Sequence, residues 1–158
     1  MSGCFDKVKK MVRKVEQYRV NSREETVQIA SEFAKTLHKG DIVCLCGDLG
    51  AGKTAFVSGV AKGLGYEGYT SSPTFTLMNE YPASIPIYHF DVYRIGSSDE
   101  MYDIGIDDFL FGNGVCLIEW PDKIADLLPE AVVLVEIKKD SVIGDDYREI
   151  TIERKRRI

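Results

Sequence analysis

The sequence predicts an α/β fold: a single three-layer domain with a mixed, partly antiparallel sheet flanked by helices. Three observations carry this. Two short apolar runs rich in strand formers, Asp41–Cys46 and VCLIEW within Gly112–Trp120, suit strands buried on both faces. Segments with apolar residues at helical spacing lie before and after the first run, at 22–37 and 53–64. Paired strand patterns with polar turns fill the second half, at 75–92 and 132–154. Strand–helix–strand alternation followed by strand pairs gives a sheet that is parallel in part and antiparallel in part.

The elements follow in order. Phe5, Val8, Met11, Val12 and Val15 stand at 3/4 spacing among basic residues, which predicts a basic amphipathic helix over 4–16. Tyr18–Val20 reads as a short strand. Asn21 or Ser22 offers an N-cap, with Glu24 and Glu25 in the first turn of the next helix. Val27, Ile29, Ala30, Phe33, Ala34 and Leu37 form its apolar face, and Gly40 ends it. After the Asp41–Cys46 strand come a glycine-rich turn and a helix over Lys53–Leu64. Phe75–Tyr81 and Ile85–Val92 read as strands joined at Pro82 and Ser84. Ser97–Gly105 reads as a short helix and Lys123–Leu128 as a helical turn closed by Pro129. Val132–Lys138 and Arg148–Arg154 are the last strands, joined through Gly144-Asp145-Asp146.

Composition bounds the function. With 158 residues, 44% hydrophobic and 28% charged, the chain can bury its own core. It is no disordered tail, collagen-like fibre or disulfide-stapled scaffold. The net charge of −5 is uneven: residues 1–19 carry +4, residues 154–158 carry +4, and the stretch between carries −13. An acidic body does not suit non-specific nucleic-acid binding. The basic ends remain as contacts for an acidic partner or RNA, or as solvated tails. Cys44 and Cys46, two apart on one strand, cannot bridge each other, and no CxxC or Cys/His cluster occurs, so buried free thiols are expected. The apolar runs fall far short of the ~20 residues of a membrane helix, and the N-terminus is charged where a signal peptide is apolar. A soluble, cytoplasmic protein with no membrane contact is expected.

Gly47-Asp48-Leu49-Gly50-Ala51-Gly52-Lys53-Thr54 matches G-x-x-x-x-G-K-[ST] in full. Glycines let the backbone wrap an oligophosphate with its N–H groups turned inward. The helix starting near Gly52 aims its positive end at the same anion. Lys53 supplies a mobile point charge, and the Thr54 hydroxyl is a hard ligand for Mg²⁺. An apolar strand before and an amphipathic helix after are the context such a loop requires. The loop also needs an acid at the end of a neighbouring strand. Asp91 closes IYHFD and Glu119 closes VCLIE, so both are candidates. His89, inside the Asp91 strand, reads as a core or hydrogen-bonded histidine. Trp120 is either packing or a lid. Residues 70–76, around Pro73, suit a switch loop that senses the terminal phosphate, and an ordinary turn would look similar.

These residues together resemble a known family, TsaE (also called YjeE), over about residues 18–153. The resemblance rests on GDLGAGKT (47–54), SPTFTL (72–77) with Asn79-Glu80-Tyr81, HFDVYR (89–94), Gly105-Ile106-Asp107 and IEW (118–120). It implies a P-loop NTPase fold and an ATPase needed for threonylcarbamoyladenosine modification of tRNA. That activity supports the complex that transfers a threonylcarbamoyl group to adenosine 37. TsaD and TsaB homologues are the implied partners, with tRNA reached indirectly through them. ATP is the implied substrate and Mg²⁺ the cofactor. By resemblance, Lys53 binds phosphate, Thr54 and Glu119 hold Mg²⁺, and Asp91 acts through water or on the attacking water. Asp48, Leu49, Gly50, Ala51, Gly52 and Ala55 complete the phosphate loop. Ser72 and Thr74 belong to the switch-like loop, and Trp120 is the aromatic beside the acid. Ser22 and Thr26 lie on the adenine side, and Arg148 reaches the nucleotide from the opposite side. Residues 1–17 form a basic extension ahead of the family's usual start, and 18–158 the ATPase domain. Ala55 departs from the commoner threonine, removing a hydroxyl near the α-phosphate.

Three other readings compete. A small GTPase needs an [NT]-K-x-D motif, and Ile137-Lys138-Lys139-Asp140 puts isoleucine in its first position. A metabolite kinase uses several arginines to clamp two charged substrates, and the body offers Arg23, Arg94 and Arg148. A non-catalytic nucleotide-dependent switch shares the loop and differs in turnover. Slow hydrolysis by the isolated protein, stimulated by partners, is expected.

Overall fold

The computed structural model describes residues 13–155. Among these, seven strands build one mixed sheet: β1 (Arg13–Val20), β2 (Ile42–Cys46), β3 (Met78–Tyr81), β4 (Ile87–Asp91), β5 (Val115–Glu119), β6 (Val133–Lys139) and β7 (Arg148–Lys155). Their order across the sheet is β1-β7-β6-β2-β5-β4-β3. The central four, β6, β2, β5 and β4, run parallel. Antiparallel strands close both sides, β7 and β1 beyond β6 and β3 beyond β4. The parallel strands are apolar on both faces because both faces are covered.

One core lies between the sheet and two helices, α1 (Arg23–Ala34) and α2 (Lys53–Gly63). It joins Ala30 and Phe33 of α1 and Phe56, Val57 and Val60 of α2 to Val43, Leu45, Leu117, Val135 and Ile150. The second core faces the other way, with Cys44, Phe90, Cys116, Ile118 and Leu134 under Met101, Ile106, Leu110 and Ile124. These last four come from the helix α3 (Ile106–Leu110) and two 3₁₀ segments, Ser98–Ile104 and Pro121–Leu127. No helix among the described residues is long and apolar enough to cross a membrane.

The first expected helix is corrected. Residues 13–16 are not helical: they begin β1, which pairs with β7 from Arg13↔Lys155 to Val20↔Arg148. Local 3/4 spacing lost to a ladder with a distant strand, and Val15 is left 55% exposed. Residues 1–12 lie outside the described residues, as do Arg156 and Arg157. Arg154 is no solvated tail: its guanidinium stands 5.1 Å over the Phe33 ring and donates to the Thr36 hydroxyl. The Phe75–Tyr81 strand is shorter than expected, because Leu77 sits in the left-handed region (φ 71°) and delays pairing until Met78. Gly105 (φ 71°) does more than end a helix: it turns the 3₁₀ segment into α3. Cys116 is a buried free thiol and Cys44 is buried in the same core, but the expectation of a free thiol fails at Cys46, which is disulfide-bonded.

The contact between α1 and α2 depends on glycine. A Cβ at Gly59 would stand 2.5 Å from the Ala30 Cβ and 2.5 Å from the Val27 carbonyl. A Cβ at Gly63 would meet the Ser31 carbonyl at 2.5 Å. Replacing a helical glycine normally gains up to about 1 kcal/mol from propensity. Overpacking costs about 1–3 kcal/mol. Gly59→Val is therefore expected to destabilise the protein, read as a lower urea midpoint, where propensity alone would raise it. Burial pushes the Cys116 thiol up to about 12. Its thiolate is accordingly scarce in the native protein, and maleimide at pH 8.5 is expected to label Cys116 only after unfolding, as mapped by mass spectrometry.

Candidate functional site

The register of the parallel strands gathers the chemistry at one rim. Leu45 of β2 pairs with Glu119 of β5, and Glu119 pairs with Asp91 of β4. The two acids are thus neighbours at the carboxyl ends of adjacent strands, beside the point where β2 runs into the glycine loop. Both are buried. Open α/β sheets place ligand crevices at this end.

The loop keeps its shape for physical reasons. Gly50 and Gly52 have φ of 77° and 108°, where a side chain is strained. A Cβ at Gly47 would stand 2.8 Å from the Ile137 carbonyl. Gly52 starts α2 without a side-chain cap, so no side chain takes up the helix's first N–H groups. Two side chains from the β6–β7 hairpin strap the loop from behind. Arg148 donates through Nε to the Ala51 carbonyl at 2.8 Å, and Lys139 approaches the Leu49 carbonyl at 3.5 Å.

Lys53 is buried against the rim. Its Nζ donates to the Gly47 carbonyl at 2.8 Å and lies 3.8 Å from the centre of the Trp120 ring. Burial pushes its amine below the ordinary lysine range, while Glu119, Asp91, Asp48 and Asp122 pull it back. Trp120 adopts the left-handed conformation (φ 62°), a backbone cost of about 1 kcal/mol that holds its ring over the lysine. Tyr93 packs on the far side of Trp120 at 4.9 Å between centroids.

Asp91 accepts from Ser72 at 3.2 Å and Thr74 at 3.3 Å through one oxygen, and from the Tyr93 N–H at 3.0 Å through the other. The loop carrying those hydroxyls therefore rests on the acid. Glu119 accepts from His89 Nε2 at 2.7 Å. His89 is the hydrogen-bonded core histidine its position in the strand suggested.

A cavity of about 390 Å³ opens over these groups. It brings together Leu49, Gly50, Gly52, Lys53, Thr54, Ala55, Ser72, Thr74, Asp91, Glu119, Trp120 and Arg148, and adds Ser22 and Thr26 at the start of α1. Asp48 and Ala51 do not line it. The Ser22 hydroxyl caps α1 by accepting from the Glu25 N–H at 3.1 Å. Arg23, inside the Ser22–Thr26 segment, and Asp146, outside every expected site segment, also line the cavity. Their signals were weak: Arg23 is an ordinary helix-start residue, and Asp146 belongs to a turn that only the fold brings close.

Arg148 spends its donors on backbone carbonyls, those of Ala51 and Gly50 in the glycine loop and those of Asp145 and Tyr147 in its own hairpin turn, the last two at 2.8 and 2.7 Å. Arg148→Ala is expected to lose about 1–2 kcal/mol of stability in urea titration and to speed amide exchange across 48–52. Arg148→Lys is expected to restore little, because an ammonium lacks the planar fork.

Comparison with known proteins agrees with this architecture. Residues 20–150 match the family model described as "Threonylcarbamoyl adenosine biosynthesis protein TsaE". The chain is 46% identical over 136 residues to the tRNA threonylcarbamoyladenosine biosynthesis protein TsaE of Bacillus subtilis, covering 85% of this chain and 83% of the relative. The protein of the same name from Treponema pallidum is 41% identical over 131 residues, with 83% and 95% covered. The crystal structure of YdiB from Bacillus subtilis superposes with a TM-score of 0.78 at 39% identity, over 92% of this chain and 88% of that one. An α/β domain with this seven-stranded mixed sheet, matched along most of its length in sequence and in structure, belongs to the TsaE family.

Proposed function

We propose that the protein is a Mg²⁺-dependent ATPase of P-loop NTPase fold that supports threonylcarbamoyladenosine modification of tRNA. The observation that carries this is the meeting of Lys53, Thr54, Asp91 and Glu119 in one cavity at the uncapped start of α2. The glycine loop at the uncapped start of α2 suits an oligophosphate, and Lys53 suits its outer phosphates. Partial desolvation strengthens the pull of Lys53 on an arriving anion. Ser22 and Thr26 stand on the wall where the base belongs.

The donor set fits Mg²⁺. The Thr54 hydroxyl and the Glu119 carboxylate are hard oxygen donors, and Asp91 adjoins them on the next strand. No group of three or more His, Cys, Asp or Glu side chains placed to hold a metal occurs among the described residues; Mg²⁺ keeps several waters and takes phosphate oxygens beside one or two carboxylates. When bound, the ion neutralises charge on the transferred phosphate. Asp91 orients water toward that phosphate, and its two hydroxyl donors keep the carboxylate aimed. Trp120 shields Lys53 from solvent on the opposite side.

The names of the relatives support a place in tRNA threonylcarbamoyladenosine biosynthesis; TsaD and TsaB homologues, with tRNA engaged through them, are the partners that the family resemblance implies. Exposed apolar groups near the site, Leu49 at 69% and Phe75 at 84%, support docking beside the cavity. The isolated protein turns over slowly, and partners speed it. Hydrolysis of ATP and GTP, measured with and without the partners, is expected to favour ATP and to rise on complex formation. Glu119→Ala is expected to lose about 100-fold or more of the Mg²⁺-dependent rate. A GTP preference, or full turnover by Glu119→Ala, would overturn this reading. Deletion of the protein is expected to remove threonylcarbamoyladenosine from cellular tRNA, read by nucleoside mass spectrometry.

A further inference from the structure

His89 and Tyr81 form a buried polar chain that the proposed reaction leaves unused. His89 is 0% exposed, Tyr81 4% and Glu119 3%. An ionised carboxylate only accepts, so the 2.7 Å contact has His89 Nε2 donating to Glu119 Oε2. On the other side of the ring, Nδ1 lies 3.5 Å from the Tyr81 hydroxyl. That hydroxyl donates to the Ser71 carbonyl at 2.9 Å and accepts from the Ser71 N–H at 3.2 Å. Asn79 donates to the same carbonyl at 3.1 Å. The chain therefore runs from Glu119 through His89 and Tyr81 to the backbone at the root of the 71–76 loop. The tip of that loop holds Asp91 through Ser72 and Thr74.

We propose that His89 is a positioning residue that fixes the Glu119 carboxylate and, through Tyr81, ties it to the 71–76 loop. The strand register makes this possible. His89 and Asp91 share a face of β4, and Glu119 lies beside Asp91 on β5. One loop thus governs both acids, one directly and one through two rings. With the imidazole neutral and its proton on Nε2, Tyr81 has one hydroxyl proton and two acceptors, the Ser71 carbonyl and His89 Nδ1. Movement of Ser71 away from Tyr81 frees that proton for the imidazole. A histidine that only filled the core would need neither contact; aliphatic side chains of similar volume serve that purpose on the strands around it.

The inference rests on the ATPase reading only for the role of Glu119, and the experiment separates the two. Nucleotide affinity is measured by calorimetry with and without Mg²⁺, and Ser71 amide exchange is followed by NMR in the free protein. The variants are His89→Leu, His89→Gln and Tyr81→Phe. His89→Leu is expected to lose about tenfold or more of the Mg²⁺-dependent gain in affinity, as disrupted partners of metal ligands do. Its affinity for Mg²⁺-free nucleotide is expected to stay within twofold of wild type. His89→Gln carries an amide N–H near the Nε2 position and is expected to recover most of that gain. Tyr81→Phe and His89→Leu are both expected to speed Ser71 exchange severalfold. Equal losses with and without Mg²⁺, or no rescue by His89→Gln, would overturn the positioning role. Should His89→Leu not fold, His89→Gln and Tyr81→Phe decide alone: unchanged Ser71 exchange in Tyr81→Phe overturns the tie. Wild-type protein without Mg²⁺-dependent nucleotide affinity would defeat the ATPase reading, while the exchange measurement still decides whether the chain exists.

Discussion

The site depends on the register of three parallel strands. Leu45, Glu119 and Asp91 are held abreast by β2, β5 and β4. A slip of one residue in either pair would turn an acid to the opposite face, into the second core. Such a slip is costly because both faces are buried: Cys44, Ile118 and Phe90 fill one side and Leu45 and Leu117 the other. The hydrophobic core thereby fixes the placement of two carboxylates.

Around this register the structure accepts local costs. Trp120 takes up a left-handed backbone conformation, and Lys53 is drawn partly out of water. Each cost is met by a specific contact: the lysine by the indole face and the Gly47 carbonyl, the glycine loop by Arg148. Cation–π contacts contribute about 0.5–2 kcal/mol, comparable with the backbone strain at Trp120. Strain concentrated beside two acids and a glycine loop is the usual signature of a prepared binding site.

The sequence made the strands and the loop legible because their signals are local. IVCLC can be little other than a buried strand, and the glycines of 47–52 serve a backbone shape that few other residues permit. The closing acids were legible for the same reason, each at the end of an apolar run. What failed was non-local. Residues 13–16 carry apolar groups at a spacing a helix also uses, and only pairing with β7 decides the matter. Leu77 bears a side chain that gives no hint of its left-handed backbone, so β3 looked longer than it is. Arg148 was legible as a site residue, but its attachment to the Ala51 carbonyl spans 97 positions and has no local trace.

The glycine contact between α1 and α2 bears on how such a site measures its ligand. Gly59 and Gly63 press the helices together so closely that α1 cannot shift without moving the start of α2. Ser22 and Thr26 on one helix and Lys53 and Thr54 on the other therefore form the fixed jaw of a caliper. The opposing jaw is the 71–76 segment, which rests on Asp91 through Ser72 and Thr74. On the proposed reading a nucleotide's base and inner phosphates would meet a rigid gauge, and its outermost phosphate would face the opposing segment. Discrimination between a diphosphate and a triphosphate would then fall to one end of the cavity.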